Sequence, residues 1–513
     1  MGKNPFDKVR QGIIGIDSTF QSPYGEQPIV YADWVASGRM FRPIEEIMAK
    51  EILPYVANTH TETSHTGTLM TKAYHEAQQR IKRHVNADIG DALICCGSGM
   101  TGAVNKFQRI LGLKLTEPFK KNIQIDRNDR PIVFCTHMEH HSNQTSWIET
   151  IAEVHIVRPT PEGLVDLEHF AQLLEQFKSR TFKIAAVTSC SNVTGVFSPY
   201  YEMASMIHAY GGYCFVDFAC SAPYIDIDMH PEDESQKLDA IMFSPHKFLG
   251  GPGTPGVLVF DRALYRCTVP DEPGGGTVKW TNPWGGHRFI EDVEAREDGG
   301  TPPFLQTIRA AMAIELKEMM GTKAIAQREA HLLDLIWDRM KAVPGLHLLA
   351  DNIKDRLSIF SFYIDGLHYN LGVKLLNDRF GIQTRGGCAC AGTYGHYLLG
   401  VDEQHSCAIT DAIDHGDLTK KPGWIRFSLH PVMTDEEARY IIDAIEALAV
   451  NFKSWAKDYD YSPHSNEFHH RTWGESDRQS DLVSQWFRSV REYDLQSPVY
   501  PLFDQMDEGL DNN

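Results

Sequence analysis

The chain has 513 residues, of which 49 are Lys or Arg and 68 are Asp or Glu, so its formal net charge at pH 7 is −19. This charge argues against nucleic acid or an anionic membrane surface as the main partner, because both are negatively charged. A chain of this length can bury large hydrophobic cores, so we expect an enzyme-sized globular protein that needs neither disulfides nor metal ions for its stability.

The sequence contains no apolar run of the roughly 18 to 20 residues that a membrane-spanning helix needs. The first residues lack the apolar region of a secretory signal, so we expect a cytoplasmic protein. Ten cysteines are scattered along the chain, and several of them lie inside apolar runs. Such cysteines are typical of small core side chains rather than of a disulfide framework.

Six short apolar runs, each followed by a polar or glycine-rich loop, occur between about residues 90 and 260. The runs are residues 92–96, 131–135, 183–187, 213–216, 240–243 and 256–260. Continuous apolar strands suit a sheet that is buried on both faces, which predicts an α/β fold. Helical spacing follows the first run, at Val104, Phe107 and Ile110.

The pattern changes near residue 325, where long amphipathic helices alternate with short strands. We predict a helix over residues 324–341, a strand over 358–362 and a closing helix over 434–450, which together indicate a smaller α+β domain. The last 60 or so residues are acidic and irregular. Their aromatic residues favour a tail that docks on the body of the protein, because disordered tails are poor in such residues. These aromatics are Trp473, Trp486, Phe487, Tyr493 and Tyr500.

Four segments are predicted from these changes. They are an N-terminal segment 1–45 that packs with the small domain, a large domain 46–325, a small C-terminal domain 326–450 and a C-terminal extension 451–513.

Residues whose side chains can react or bind ligands cluster directly after the apolar runs. Ligands of open α/β sheets bind beyond the carboxyl ends of the strands, so these positions are the first candidates for a site. Lys247 lies in a glycine-rich loop, Asp217 follows a buried strand, and the glycine-rich turn that begins at Gly97 joins a strand to a helix. Pyridoxal phosphate requires an imine-forming lysine, an acid for its ring nitrogen and a phosphate cup, and this set offers each of them.

Two clusters of potential metal ligands are also present. One contains His137, His140 and His141, and the other contains Cys388 and Cys390. Neither has the paired spacing of a structural zinc motif, so we predict no metal site.

Several separated motifs, in order and spacing, resemble those of class V aminotransferase-fold enzymes, and most closely those of the cysteine desulfurase and selenocysteine lyase group. The resemblance covers about residues 31 to 450. It implies a fold-type I pyridoxal-phosphate enzyme, with a large domain built on a mainly parallel sheet of the seven-stranded type and a smaller α+β C-terminal domain.

The motif from Ser244 to Lys247 resembles the Ser-x-His-Lys of this family. By this resemblance Lys247 forms the imine with the cofactor, while Ser244 and His246 contact its phosphate. The segment that contains His140 resembles the family's histidine pair, whose first member stacks on the cofactor ring and passes protons.

Further cofactor contacts are implied by the same resemblance. Asp217 would pair with the pyridine nitrogen, and Asn192 would lie near the phenolic oxygen. Cys220 occupies the position of a family glutamine that also faces the phenolic oxygen. The phosphate would also be reached by the loop of Ser98, Gly99 and Met100 and by Thr301 of a second subunit, which implies a homodimer.

Three residues are implied to act on the substrate. Arg426 matches the arginine that holds the substrate carboxylate, which suits a planar guanidinium. Cys390 matches the catalytic cysteine, and nearby Arg385 favours its thiolate form. The expected reaction removes sulfur from L-cysteine, or selenium from selenocysteine, to give alanine. A persulfide would remain on Cys390, from which an acceptor protein could take the sulfur.

The chain departs from the family pattern at two places. Cys220 replaces the glutamine, so a weak hydrogen-bond donor stands where the family has a good one. Cys388 and Ala389 replace two histidines that precede the family cysteine. Two alternatives therefore stay open, namely another aminotransferase, epimerase or lyase of the same fold, and a non-catalytic sulfur-carrier or scaffold protein.

Overall fold

The computed structural model describes residues 4–59, 61–120 and 124–491. The strands are β1 Thr19–Ser22, β2 Gly25–Pro28, β3 Val30–Tyr31, β4 Asp91–Cys96, β5 Ile132–Thr136, β6 Glu153–Val157, β7 Lys183–Thr188, β8 Tyr213–Asp217, β9 Ala240–Phe243, β10 Gly256–Asp261, β11 Val278–Thr281, β12 His287–Phe289, β13 Leu346–Leu348, β14 Ile359–Ile364, β15 Ile382–Gln383, β16 Arg385–Gly387, β17 Trp424–Ser428, β18 Tyr459–Ser462 and β19 Glu467–His470.

The α-helices of the described residues follow the same chain order. They are α1 Asp7–Gln11, α2 Arg42–Ile47, α3 His65–His84, α4 Gly99–Ile110, α5 Glu117–Lys120, α6 His141–Ile148, α7 Leu167–Gln176, α8 Tyr200–His208, α9 Val293–Glu297, α10 Phe304–Met320, α11 Thr322–Ala342, α12 Tyr369–Phe380, α13 Gly392–Leu399, α14 Glu403–Asp414, α15 Asp435–Trp455 and α16 Glu475–Arg491.

A seven-stranded sheet in the order β4-β10-β9-β8-β7-β5-β6 organises the larger part of the molecule. Strand β10 is antiparallel to both of its neighbours, and the other pairs are parallel. This confirms the predicted α/β fold with a mainly parallel sheet. All six predicted apolar runs form strands of it. The seventh strand, β6, was missed because it lies at the edge, where most of its residues are only half-buried.

The sheet is buried on both faces. In β4, Leu93 and Cys95 pack into one core, whereas Ala92 and Ile94 pack into the other. The second core is closed by α4, whose Phe107 ring lies 5.0 Å from that of Phe215. Because neither face meets water, polar side chains of the central strands are confined to the strand ends.

A second sheet, β13-β14-β17-β16, is antiparallel and packs with α11, α12 and α15. Its helices and strands agree with the three predicted elements of this region to within a few residues, although α15 runs five residues further, to Trp455. Helix α15 begins with a capping box, in which Thr434 and Glu437 satisfy each other's backbone N–H groups.

The N-terminal segment crosses to this second sheet. Strand β3 pairs in parallel with β15. The side-chain amide of Asn4 donates hydrogen bonds to the carbonyl groups of Pro431 and Met433, at 3.2 and 3.0 Å. The N-terminal segment therefore lies beside the residues that precede α15.

The C-terminal region differs from the irregular tail that we expected. It forms the hairpin β18–β19, followed by helix α16. The hairpin packs on the body through the buried Tyr459, whose hydroxyl donates to Asp378 at 2.7 Å. In α16, however, Trp486 and Phe487 are 61% and 72% exposed, so the prediction that these two rings dock is wrong. Tyr493 and Tyr500 lie outside the described residues.

Within the described ranges, no helix combines the length and the apolar character that crossing a bilayer requires.

Two glycines allow a comparison that tests how closely the N-terminal segment packs against the residues before β15. Gly381 and Gly211 both have φ of +68°, but a Cβ on Gly381 would lie 1.8 Å from the carbonyl oxygen of Pro28, whereas one on Gly211 would meet nothing within 4 Å. We expect Gly211→Ala to lower the free energy of unfolding by about 1 kcal/mol, from backbone strain alone. Gly381→Ala should cost roughly 3 kcal/mol or more, because the backbone at Pro28 must also move away.

Thermal unfolding of the two variants measures this difference. Equal shifts of the midpoint would contradict the close approach of Gly381 to Pro28.

Candidate active site

A cavity of about 200 Å³ lies at the carboxyl ends of the central strands. Of the site residues predicted from the sequence, all but Gly99 and Thr301 line it. Those that line it are Ser98, Met100, His140, Asn192, Asp217, Cys220, Ser244, His246, Lys247, Arg385, Cys390 and Arg426. Residues from both sheets thus converge on a single space.

One wall of the cavity is the turn that begins α4. Gly99 has φ of +59°, and a Cβ there would lie 2.8 Å from both Ser244 Oγ and the His246 ring. The backbone N–H of Met100 donates to Ser244 Oγ at 2.8 Å. Gly99 therefore lies directly behind the wall, although it does not line the cavity. The N-terminus of α4 carries a partial positive charge and lies beside a hydroxyl and an imidazole, so this wall is suited to a phosphate.

Lys247 and Asp217 form the buried charged part of the site. Lys247 ends a short 3-10 turn that follows β9, and Asp217 is the last residue of β8. Burial lowers the pKa of Lys247, and the carboxylate of Asp217 offsets part of this shift. Burial raises the pKa of Asp217 from 3.8 to about 6, although its carboxylate accepts a hydrogen bond from Ala219 N at 2.8 Å. Each group therefore favours its neutral form more than it would in water.

His140 supplies a flat neutral ring. It caps the N-terminus of α6, where its Nδ1 accepts from Ser142 N at 3.1 Å. Burial, reinforced by the charge of Lys247, lowers the pKa of His140 to about 3. The ring is thus uncharged over the physiological pH range.

The segment that carries Cys390 is held by three hydrogen bonds to His141, at the start of α6, and to Asn192, in the loop that follows β7. His141 N donates to Cys390 O at 2.7 Å, and Gly392 N donates to His141 Nε2 at 2.8 Å. The side-chain amide of Asn192 donates to Ala389 O at 2.7 Å. Ala389 and Cys390 have φ of +50° and +58°, a left-handed conformation that is strained for these residue types. The side chain of Cys390 is exposed at the cavity.

Asp33 was not predicted, yet it holds both arginines of the site. Its Oδ1 accepts from Arg426 Nη2 at 2.7 Å, and its Oδ2 accepts from Arg385 Nε at 3.1 Å. Arg426 is buried and also donates to Asn192 O at 3.1 Å, whereas Arg385 is half-exposed. Asp33 could have been found by the pattern that identified Asp217, because each is an acidic residue directly after a short apolar run.

Glu139 was also missed. It is fully buried and accepts hydrogen bonds from Thr136 N at 3.1 Å and Thr188 N at 2.9 Å, while its second oxygen accepts from Asn143 at 2.8 Å. Burial raises the pKa of Glu139 to about 7. Its hydrogen bonds tie the ends of β5 and β7 together directly beside His140.

Thr301 is exposed and lies outside this cavity. Potential metal ligands cluster away from the cavity, among the described residues, at Asp88, Asp91 and His230. His230 Nε2 lies 2.6 Å from Asp91 Oδ2 at the opposite end of β4.

Two polar atoms beside the cavity are buried and lack a hydrogen-bond partner among the described residues. They are Asn192 Oδ1 and Arg426 Nε. An orphaned buried polar group costs free energy, so such atoms indicate a polar ligand. With Asp217, Lys247 and the phosphate-binding wall, the cavity can hold a flat cationic ring that carries a phosphate.

The carboxylate of Asp217 should reduce the stability of the ligand-free protein. Its pKa is raised on folding, so its unfavourable effect is absent below about pH 4 and grows as the pH rises through about 6. We expect Asp217→Asn to stabilise the ligand-free protein at pH 8 by up to roughly 3 kcal/mol. At pH 4 the variant should differ little from the parent.

Urea unfolding at the two pH values tests this expectation, with the pH 4 measurement as the control. A variant that is less stable than the parent at pH 8 would contradict it.

The aminotransferase class-V family model matches residues 30–441 of the chain. A cysteine desulfurase from Haloferax volcanii is 26% identical over 73% of this chain and 83% of its own length. A probable cysteine desulfurase from Halalkalibacterium halodurans is 27% identical, over 71% of this chain and 84% of the relative.

Solved structures share the fold. A cysteine desulfurase from Thermococcus onnurineus superposes with a TM-score of 0.70 and 21% identity, covering 88% of this chain and 99% of that one. A second, from Escherichia coli, gives 0.67 and 19%, covering 88% and 100%. The family model spans most of the chain, including both sheets and the whole cavity. The chain therefore belongs to the aminotransferase class-V family of enzymes.

Proposed function

We propose that this enzyme is a pyridoxal-phosphate-dependent cysteine desulfurase, which takes sulfur from L-cysteine, or selenium from selenocysteine, and leaves alanine. The observation that carries the proposal is an exposed thiol, Cys390, on the wall of a cavity that also holds buried Lys247 and Arg426. The names of the similar proteins point in the same direction.

The residues of the cavity fit the cofactor. Among the described residues, no cationic side chain forms an ion pair with the buried carboxylate of Asp217, so a protonated ring nitrogen could be its partner. The wall formed by Ser98, Met100 and Ser244 would hold the phosphate, and the His140 ring offers a flat face. When bound, pyridoxal phosphate supplies an electron sink for negative charge on the α-carbon of the substrate.

Lys247 would provide the amine and then carry the α-proton. Its pKa is lowered by burial, so the neutral, nucleophilic amine is more accessible than on an exposed lysine. The same neutral amine is the base that accepts a proton from the substrate carbon.

Arg426 would bind the substrate carboxylate. Its guanidinium is buried, and Asp33 and Asn192 O fix its plane, so little conformational entropy remains to be lost on binding. The unpartnered Nε donor is one group that a carboxylate could satisfy.

Cys390 would take the sulfur atom. Its thiolate attacks the substrate sulfur, so that a new S–S bond forms while the carbon–sulfur bond breaks and its electron pair stays with carbon. That carbon is then protonated, and alanine leaves. The persulfide on the exposed Cys390 can reach an acceptor protein, which takes the sulfane sulfur.

A homodimer is part of the proposal. Thr301 belongs to a segment whose family counterpart reaches the phosphate of a second subunit, and here it is exposed and outside its own cavity. Its contact with the cofactor would then be made across the dimer.

Replacing the thiol separates sulfur transfer from cofactor binding. We expect Cys390→Ala to lower sulfide and alanine production from L-cysteine by at least about 100-fold, because no nucleophile remains for the sulfur. The bound cofactor should keep its visible absorbance, since Lys247 and Asp217 are unchanged. The matched control is Cys407→Ala, which removes another exposed thiol and should retain full activity.

Unchanged sulfide release by the Cys390 variant would refute the desulfurase assignment. Amino-group transfer to a keto acid, without sulfide, would instead identify an aminotransferase. Mass measurement of the parent after incubation with cysteine or selenocysteine detects the added atom on Cys390.

Loss of the Asp33 carboxylate should loosen both arginines. We expect Asp33→Asn to raise KM for L-cysteine about tenfold with a smaller change in kcat, because Arg426 would lose its charged partner and part of its orientation. The control is Asp443→Asn, which breaks a surface pair with Arg339. An unchanged KM would show that Asp33 does not position the carboxylate-binding group.

A further inference from the structure

Cys190 and Cys220 lie side by side in the wall of the cavity. Cys190 follows β7 and Cys220 follows β8, so neighbouring strands bring them together. Both line the cavity, and their sulfur atoms are 3.9 Å apart. They are buried, with exposed fractions of 0% and 4%. Nothing in the proposed sulfur transfer, which uses Cys390 alone, requires a pair of thiols here.

The two segments that carry these thiols are already joined. Ser189 Oγ lies 2.6 Å from Ser221 Oγ, and Ser189 N donates to Asp217 O at 2.9 Å. Both hydrogen bonds hold the loops together. The two sulfur atoms would therefore need to approach each other by only about 2 Å to reach the S–S distance of 2.05 Å in a disulfide.

The surroundings favour a thiolate on one of the two residues. The hydrogen bond with Cys190 lowers the pKa of Cys220, an effect that outweighs the opposing effect of burial. Burial raises the pKa of Cys190. One thiol is thus the reactive group and the other its resolving partner, as in thiol pairs that undergo reversible oxidation.

We propose that Cys190 and Cys220 are a redox modification site, which a small peroxide reaches through the cavity and converts to an intramolecular disulfide when no cofactor fills that space. The role of the cofactor in this inference rests on the proposed function, whereas the disulfide itself does not.

The chemistry needs only hydrogen peroxide as oxidant. The Cys220 thiolate attacks one peroxide oxygen, the O–O bond breaks, and a sulfenic acid and hydroxide form. The Cys190 thiol then attacks the sulfenic sulfur, so that the S–S bond forms and water leaves. The hydroxide takes up the proton that Cys220 released when it ionised, and the two sulfurs together lose two electrons, which reduce the peroxide to two waters.

The disulfide would change the cofactor site. It removes the Cys220 thiol from the wall that faces Lys247, and it ties the segment of Asn192 to that of Asp217. Oxidised protein should therefore bind pyridoxal phosphate more weakly than reduced protein, by tenfold or more in Kd, and a dithiol reductant should restore binding.

The test uses the full chain, freed of cofactor and treated with a slight excess of hydrogen peroxide. Free thiols are then blocked, and the digested protein is searched by mass spectrometry for a peptide that joins Cys190 to Cys220. We expect this peptide in the parent and in the control Cys214→Ala, which removes a buried thiol outside the cavity. It should be absent from Cys190→Ala and Cys220→Ala, and reduction should abolish it.

Protein loaded with pyridoxal phosphate should form the linkage at least tenfold more slowly. The inference is overturned if peroxide modifies only other cysteines, if Cys220 links to a residue other than Cys190, or if loaded and cofactor-free protein are oxidised equally fast. Failure of the desulfurase proposal is read separately, from sulfide release by the reduced protein, because the linkage requires no turnover.

Discussion

The burial of the central sheet on both faces is the constraint on which the rest of this structure depends. Since helices cover both sides, the strands can carry polar groups only where they end, and the carboxyl edge concentrates Lys247, Asp217 and Ser244 around one small cavity. The same coverage removes water from that edge. Electrostatic interactions there are stronger than at a surface, and each charge needs a partner.

The cavity consequently lowers the stability of the ligand-free protein. Asp217 and Lys247 are both driven toward their neutral forms, and the imidazole of His140 is held uncharged. A cationic ring with an attached phosphate would relieve these costs, which links the stability of the fold to the proposed cofactor. Glu139 is another buried carboxylate beside this cavity. Its several hydrogen bonds fix the strand ends that surround His140.

Substrate recognition and sulfur transfer depend on segments far apart in the chain. Asp33 comes from the N-terminal segment, Arg426 from the second sheet and Asn192 from the large one, yet they form one hydrogen-bonded chain. Asn192 also holds the strained backbone at Ala389, next to Cys390. A shift of either sheet relative to the other would therefore change both the carboxylate site and the position of the thiol.

The sequence by itself determined the α/β fold, six of the seven central strands and most of the cavity wall, because apolar runs followed by polar residues are a local pattern. It missed β6, since an edge strand that is only half-buried lacks a continuous apolar run. It also suggested a docked tail, whereas Trp486 and Phe487 of α16 are exposed, because aromatic composition does not specify a contact surface. Only the tertiary structure decided that Asp33 joins two arginines and that Cys190 meets Cys220. Such contacts depend on how separate segments pack, and no local pattern records that packing.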